Sequence, residues 1–219
     1  MLNIGMIDYV NLLPFNVFIN KYIKSSRIKA TIRYKSNVPS SINKQLQTKK
    51  INEAFVSSIT LTDKSQLYYP LGIIAKKEVK SVLVIEGNEH IPDNASQTSN
   101  KLAQILDITG QVIIGDKALK YTCSNNNYTD LAKVWYEKYN LPFVFAVFAV
   151  NTKTKANKKL VNKFIKSNKI YIPRYILNKY AKQNNIKVSD ILKYLKLISY
   201  TINYKEKRSL NQFLKLAQK

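Results

Sequence analysis

Leu141-Pro142-Phe143-Val144-Phe145-Ala146-Val147-Phe148-Ala149-Val150 is the longest apolar run in the chain, ten residues without a charge. A membrane-spanning helix needs ~20 such residues, so the run reads as a buried strand rather than a span. Aromatic and β-branched residues dominate from Phe143 onward, which suits a strand. No polar residue interrupts Phe143 to Val150, so both faces need cover, as in the parallel sheets of α/β proteins.

The segments on either side agree with a layered α/β chain. Immediately upstream, a unit starting near Lys80 alternates strand and helix: Ser81 to Glu86 extended, Ser96 to Leu106 helical, Gln111 to Gly115 extended, Thr129 to Tyr139 helical. Leu102, Ile105 and Leu106 share one helix face, and Asp130 suits a helix first turn. Nearer the start, Leu2 to Ile7 and Ala54 to Ser57 read as strands. Pro14 to Ile23 is helical, with Phe15, Phe18, Ile19 and Tyr22 in an i, i+3, i+4, i+7 stripe. Ile28 to Tyr34 alternates apolar and polar and predicts a strand. Ser40 or Ser41 can cap a helix reaching about Lys49. The resulting β-α-β-α-β order predicts a mainly parallel sheet. Residues 155–219 read as all-helical, with stripes at Leu160, Val161, Phe164 and Ile165, then Ile176, Leu177 and Tyr180. A last helix, capped by Ser189, carries Ile191, Leu192, Leu195 and Ile198.

The chain has 219 residues, 45% of them hydrophobic, which is enough for a sizeable core and argues against disorder. It holds 36 basic and 13 acidic residues, a net charge of +23. Such a balance raises a nucleic-acid hypothesis. However, 32 of the basic residues are Lys and only 4 Arg, whereas base and phosphate readers favour the Arg fork. Lys, Asn and Ile share A/T-rich codons, so genome composition accounts for the excess, and neither nucleic acid nor membrane is expected as a partner. The charge is uneven: residues 151–219 carry 18 basic and 2 acidic groups, against 18 and 11 in the first 150. Cys123 is the single cysteine and His90 the single histidine, which leaves no disulfide and no Cys or His cluster for a metal. No cofactor motif appears: G-x-G-x-x-G, the P-loop, G-x-S-x-G and H-E-x-x-H are all missing. The opening residues lack the basic start of a secretory signal, and Asp8 interrupts their apolar stretch, so a cytoplasmic location is expected.

In open α/β sheets ligands gather beyond strand carboxyl ends and at helix N-termini. Asn11, Ser57, Ser58, Thr98, Ser99 and Asp116 all fall at such positions. Together with their neighbours they carry a resemblance. Ile4-Gly5-x-x-x-Tyr9-x-Asn11-x-x-Pro14, Val38-Pro39-x-x-Ile42-Asn43 and Ile51-Asn52-Glu53-Ala54-Phe55-Val56-Ser57-Ser58 come first. Val79-x-Ser81-Val82, Ser96-x-Thr98-Ser99 and Ile114-Gly115-Asp116-x-Ala118-Leu119 follow. Asp130-Leu131-x-x-x-Trp135-Tyr136 leads into the Leu141 block, and Tyr194-Leu195, Ile198-x-Tyr200 and Leu210-x-x-Phe213 close the tail. In this order the motifs resemble the menaquinone-biosynthesis chorismate dehydratases of the futalosine pathway, over nearly the whole chain. Lys77 and Asn140 stand where that family tends to have Gly, Asn52 where it has Asp, and Phe148 where it has Trp.

The resemblance implies an α/β, two-lobed type II periplasmic-binding-protein fold with the ligand cleft between the lobes. The lobes would be residues 1–80 with 151–219, and 81–150. It implies chorismate as substrate, dehydrated without a metal or cofactor. Asn11 would be the catalytic residue, with Tyr9, Ser57, Ser58, Ser81, Thr98, Ser99 and Asp116 binding substrate. The alternatives are the sister enzyme that makes 1,4-dihydroxy-6-naphthoate and a non-catalytic binding protein for an anionic metabolite. The sister enzymes tend to use a His, and His90 lies outside the shared motifs.

Overall fold

A computed structural model describes residues 3–34, 37–167 and 170–218. Five strands form the larger sheet: Ile4–Gly5 (β1), Glu53–Ser57 (β2), Leu67–Ala75 (β3), Phe143–Val150 (β8) and Ile198–Thr201 (β9), in the order β1-β2-β8-β3-β9. Four form the smaller: Val82–Glu86 (β4), His90–Ile91 (β5), Gly110–Ile114 (β6) and Thr129–Asp130 (β7), in the order β5-β6-β4-β7. The helices are Leu13–Tyr22 (α1), Ser26–Tyr34 (α2), Pro39–Gln47 (α3), Gln97–Ile105 (α4), Gly115–Thr122 (α5) and Leu131–Tyr139 (α6), then Lys155–Lys166 (α7), Arg174–Asn184 (α8), Val188–Leu195 (α9) and Tyr204–Ala217 (α10). None of those described is long and apolar enough to cross a membrane.

The apolar run does form the central strand, β8, buried throughout except for part of Phe145. Successive strand residues face opposite sides, and both sides are covered. Phe148 meets Phe15 of α1 and Phe55 of β2, while Phe143 meets Trp135 of α6 and Phe213 of α10. The strand is nevertheless antiparallel to both β2 and β3. Two-sided burial follows from helices on each face, so the parallel sheet expected from sequence is corrected; among the described residues only β1–β2 and β5–β6 pair in parallel. β8 also sits in the larger sheet, so a boundary drawn at 81–150 cuts through that sheet.

Three further expectations change. Ile28 to Tyr34 is helical, not extended: Ile28 and Ile32 are four apart, so the spacing that alternates on a strand also aligns on a helix. β3 went unread because Pro70 and Gly72 interrupt it, and its pairing with β8 shifts register between Tyr68 and Gly72. The tail is not all helix: α9 ends at Leu195, and β9 adds to the edge of the larger sheet against β3. Smaller revisions concern caps. Lys187 rather than Ser189 precedes α9, and Val38 rather than a serine precedes α3, whose Pro39 occupies the first turn. Leu2, at the start of the first expected strand, lies outside the described residues.

The two sheets make two lobes. The chain crosses between them at residues 76–81 and 140–142. Asn140 ends α6 in a left-handed conformation, φ 51°, which Asn tolerates better than most residues and which explains how it can stand in for Gly. Asp130 fixes the other crossing: its carboxylate accepts the Val79 and Lys80 N–H groups at 2.9 and 2.7 Å while also capping α6 through Ala132 and Lys133. The tail ties both lobes together. Phe213 of α10 touches Phe143 in the larger sheet, and Ser209 of the same helix accepts Trp135 Nε1–H from the smaller lobe at 3.0 Å.

Candidate active site

The cleft opens where β1, β2 and β6 end. From the larger lobe it is lined by Ile7, Tyr9 and Asn11 after β1, Pro39 at the start of α3, Val56 and Ser57 of β2, Ile73 of β3, and Phe145 and Ala146 of β8. From the crossing and the smaller lobe come Val79, Ser81, Val82, Ser96, Ser99, Ile114 and Gly115. These residues include no Lys, Arg, Asp, Glu or His. The polar side chains of the lining are instead hydroxyls and one amide, and α3, α4 and α5 begin beside it.

The structure brings together Tyr9, Asn11, Ser57, Ser81 and Ser99. The other three candidates stand behind this lining. Ser58 is fully buried and donates to the Val144 carbonyl at 2.6 Å. Thr98 Oγ1 accepts the Ile59 N–H at 3.1 Å, joining α4 to the end of β2. Asp116 Oδ1 accepts the Val10 N–H at 2.9 Å, so a carboxylate of the smaller lobe holds the turn that carries Asn11.

Asn11 is held on both sides. Besides the Asp116 bond to its neighbour, its own carbonyl accepts the Tyr200 hydroxyl at 2.6 Å. Its side-chain Oδ1 is buried without a hydrogen-bond partner. A buried amide oxygen without a donor is costly, which makes Asn11 Oδ1 the candidate acceptor of the cleft. Across the cleft Ser96 caps α4, its Oγ accepting the Ser99 N–H at 3.2 Å and lying 2.8 Å from Ser99 Oγ. α5 begins at Gly115 with φ +64°, and a Cβ there would sit 2.9 Å from the Tyr9 ring, so only glycine lets the two lobes approach this closely.

Ionisation follows burial. The Tyr9 hydroxyl is pushed up to about 12, first by burial and then by Asp93 and Asp116, so it stays a donor. Asp116 is raised from 3.8 to about 6, because burial outweighs the Val10 hydrogen bond and Asp8 adds repulsion. Between those two values the folded chain keeps a proton that the unfolded chain has lost, so this group's contribution to stability falls as pH rises through the window. Asp116→Asn can keep the Val10 bond without the charge. It is expected to raise stability by about 2 kcal/mol at pH 8, with the gain vanishing toward pH 4, as read by urea denaturation at both pH values. A gain that is equal at both would contradict this account.

Sequence reading missed Ser96 as a lining group and gave no part to Tyr194 and Tyr200. The tail motif containing both tyrosines was the available signal, but a tail read as all-helical put neither near the cleft. His90, on β5, is not among the lining residues. Among the described residues no group of three or more His, Cys, Asp or Glu stands together to hold a metal.

Two α/β lobes, two crossings and a cleft between them define the periplasmic-binding-protein class of fold. Solved structures agree at the level of fold. A protein of Archaeoglobus fulgidus aligns over 98% of this chain and 96% of its own, with TM-score 0.62 and 11% identity. The periplasmic aliphatic sulphonate binding protein of Escherichia coli aligns over 98% of this chain and 85% of its own, with TM-score 0.60 and 12% identity. A Candida albicans protein described as having the generic periplasmic binding protein fold covers all of this chain, with TM-score 0.52 and 10% identity. Sequence is more specific: the chain belongs to the menaquinone biosynthesis family, which matches residues 2–109 and 96–219. It is 44% identical over 213 residues to the chorismate dehydratase of Campylobacter jejuni, covering 96% of this chain and 95% of that protein.

Proposed function

We propose that the cleft binds chorismate and eliminates water from it to give 3-[(1-carboxyvinyl)oxy]benzoate, a carbon–oxygen hydro-lyase step in menaquinone biosynthesis. The observation that carries the reading is the cleft's composition: Asn11 with an open, buried amide oxygen, ringed by serine hydroxyls, and no side chain able to act as a base at neutral pH. The identity to the Campylobacter jejuni chorismate dehydratase supports the same substrate.

Chorismate carries a ring carboxylate, an enolpyruvyl ether and, on the adjacent carbon, a hydroxyl. The hydrogen on the ether-bearing carbon is vinylogous to the ring carboxylate, so charge spreads into that group as the proton leaves. The substrate's own enolpyruvyl carboxylate takes this proton and hands it to the departing hydroxyl. The C–O bond breaks, water leaves and the ring becomes aromatic. The protein's work is positioning and electrostatics. Asn11 Oδ1 accepts a hydrogen bond from the ring hydroxyl and fixes its direction. Ser57, Ser81 and one of the Ser96–Ser99 pair, whose hydroxyls share a hydrogen bond, donate to the carboxylates. The positive ends of α3 and α5 beside the cleft add a favourable field, work that needs no lysine there.

The test is incubation of purified protein with chorismate, followed by chromatography and mass measurement. The expected product is aromatic, lighter by one water, with the enolpyruvyl group retained. Chorismate recovered unchanged would overturn the reading and leave a binding protein. An analogue lacking the enolpyruvyl carboxylate should bind but not turn over; equal turnover would refute the substrate-assisted step.

A further inference from the structure

Ser81 stands at the crossing between the lobes, buried except toward the cleft. Its oxygen accepts a hydrogen bond from Tyr194 Oη at 2.8 Å, and Tyr194, on α9, is itself only 3% exposed. A hydroxyl has one proton to give and two lone pairs to receive with. With Tyr194 donating into it, Ser81 keeps its own proton for something else, and among the described residues no protein acceptor takes it. The remaining direction is the cleft. Burial pushes the Tyr194 phenol upward and Asp116 and Asp130 add to the shift, against the opposing contacts with Ser81 and with the Asn11 side chain, so the phenol remains a donor. The Asn11 contact is the second path by which Tyr194 could act, and a double-mutant cycle separates it from the path through Ser81.

We propose that Tyr194 is a positioning residue for the dehydration: by donating to Ser81 Oγ it turns Ser81 into an obligate hydrogen-bond donor aimed at the bound anion. The inference rests on the proposed chorismate reading. It gives the basic tail a task that its charge does not suggest. The face of α9 that packs on the crossing sets the polarity of a cleft hydroxyl more than a hundred positions earlier in the chain, and β9 does the like for the Asn11 backbone through Tyr200.

The experiment is a double-mutant cycle on Tyr194→Phe and Ser81→Ala, each checked for native circular dichroism. Tyr194→Phe removes one hydroxyl without changing the ring, and kcat/KM is expected to fall roughly tenfold. Ser81→Ala should divide its loss between kcat and KM in the same proportion, because Tyr194 acts through Ser81. In the Ser81→Ala background, Tyr194→Phe should cost less than twofold. If Tyr194→Phe costs the same factor with and without Ser81, or if it leaves kcat/KM within twofold of the parent, the assignment is overturned. If Tyr194→Phe fails to fold, the comparison moves to Tyr194→His, whose ring N–H can also donate: recovery of kcat/KM toward the parent supports the assignment, and activity at or below that of Ser81→Ala overturns it. Failure of the parent protein itself to convert chorismate is a different outcome, which removes the underlying reading and not this hydrogen bond.

Discussion

Asn11→Ala is expected to lower chorismate turnover by about 10²–10³-fold while leaving the protein folded, since loss of one preorganised polar group at a reacting oxygen has effects of that size. The substitution removes the single amide in the lining and with it the open Oδ1. It leaves untouched the two bonds that hold the turn, because Asp116 grips the Val10 N–H and Tyr200 grips the Asn11 carbonyl, both through backbone atoms. Stability should therefore change little, since losing an unpartnered buried oxygen offsets losing the side-chain contact with Tyr194. Steady-state kinetics with chorismate and a thermal melt together read both halves. Turnover within threefold of the parent would take Asn11 out of the chemistry.

The largest expected effect on stability belongs to Asp130, which the sequence suggested only as a favourable charge in a helix first turn. Its carboxylate is 6% exposed and accepts four backbone N–H groups, from Val79, Lys80, Ala132 and Lys133. Burial raises its pKa, and those four bonds oppose the rise, which is why a charge is tolerated there. Asp130→Ala strands the donors of both the crossing and the α6 start. The loss is expected at about 3–5 kcal/mol, read as a fall in the urea midpoint at unchanged slope. Asp130→Asn should also destabilise, because its NH₂ would face one pair of donors where the carboxylate offers an acceptor to both. A loss under about 1 kcal/mol for the alanine variant would mean that water replaces the carboxylate at this crossing.

Much of the fold was legible, for a specific reason in each case. Phe143–Val150 has no polar residue to expose, so a central buried strand was forced. α7 buries its stripe at Leu160, Val161 and Phe164. α1, by contrast, buries Phe15 and Ile19 of its stripe together with Leu13 and Val17 and leaves Phe18 and Tyr22 half-buried, and α4 buries Leu102 beside Thr98, Ser99 and Ala103. What failed was strand direction, which residue type does not encode: two-sided burial comes equally from a parallel sheet and from an antiparallel one covered by helices on both faces. α2 failed because Ile28 and Ile32 satisfy both periodicities, and β3 because Pro70 and Gly72 obscure a strand whose pairing is irregular there.

The site was legible as a set of positions and not as a set of roles. Asn11, Ser57, Ser81 and Ser99 converge from elements far apart in sequence, and the motifs named all four. The same motifs did not distinguish the groups that line the cleft from those that stand behind the lining, as Ser58, Thr98 and Asp116 do. That distinction is a matter of a few ångströms of side-chain direction. Nor did the net charge of +23 help: none of it lines the cleft, and the tail's contribution there is made by two tyrosine hydroxyls.

The central claim is that the protein removes the hydrogen on the ether-bearing carbon of chorismate together with the neighbouring hydroxyl. Chorismate deuterated at that carbon tests it most directly. The account predicts that 3-[(1-carboxyvinyl)oxy]benzoate forms with the label wholly lost from its ring and its enolpyruvyl carbons intact. An aromatic product that retains the deuterium, or that has lost the enolpyruvyl group, would contradict it.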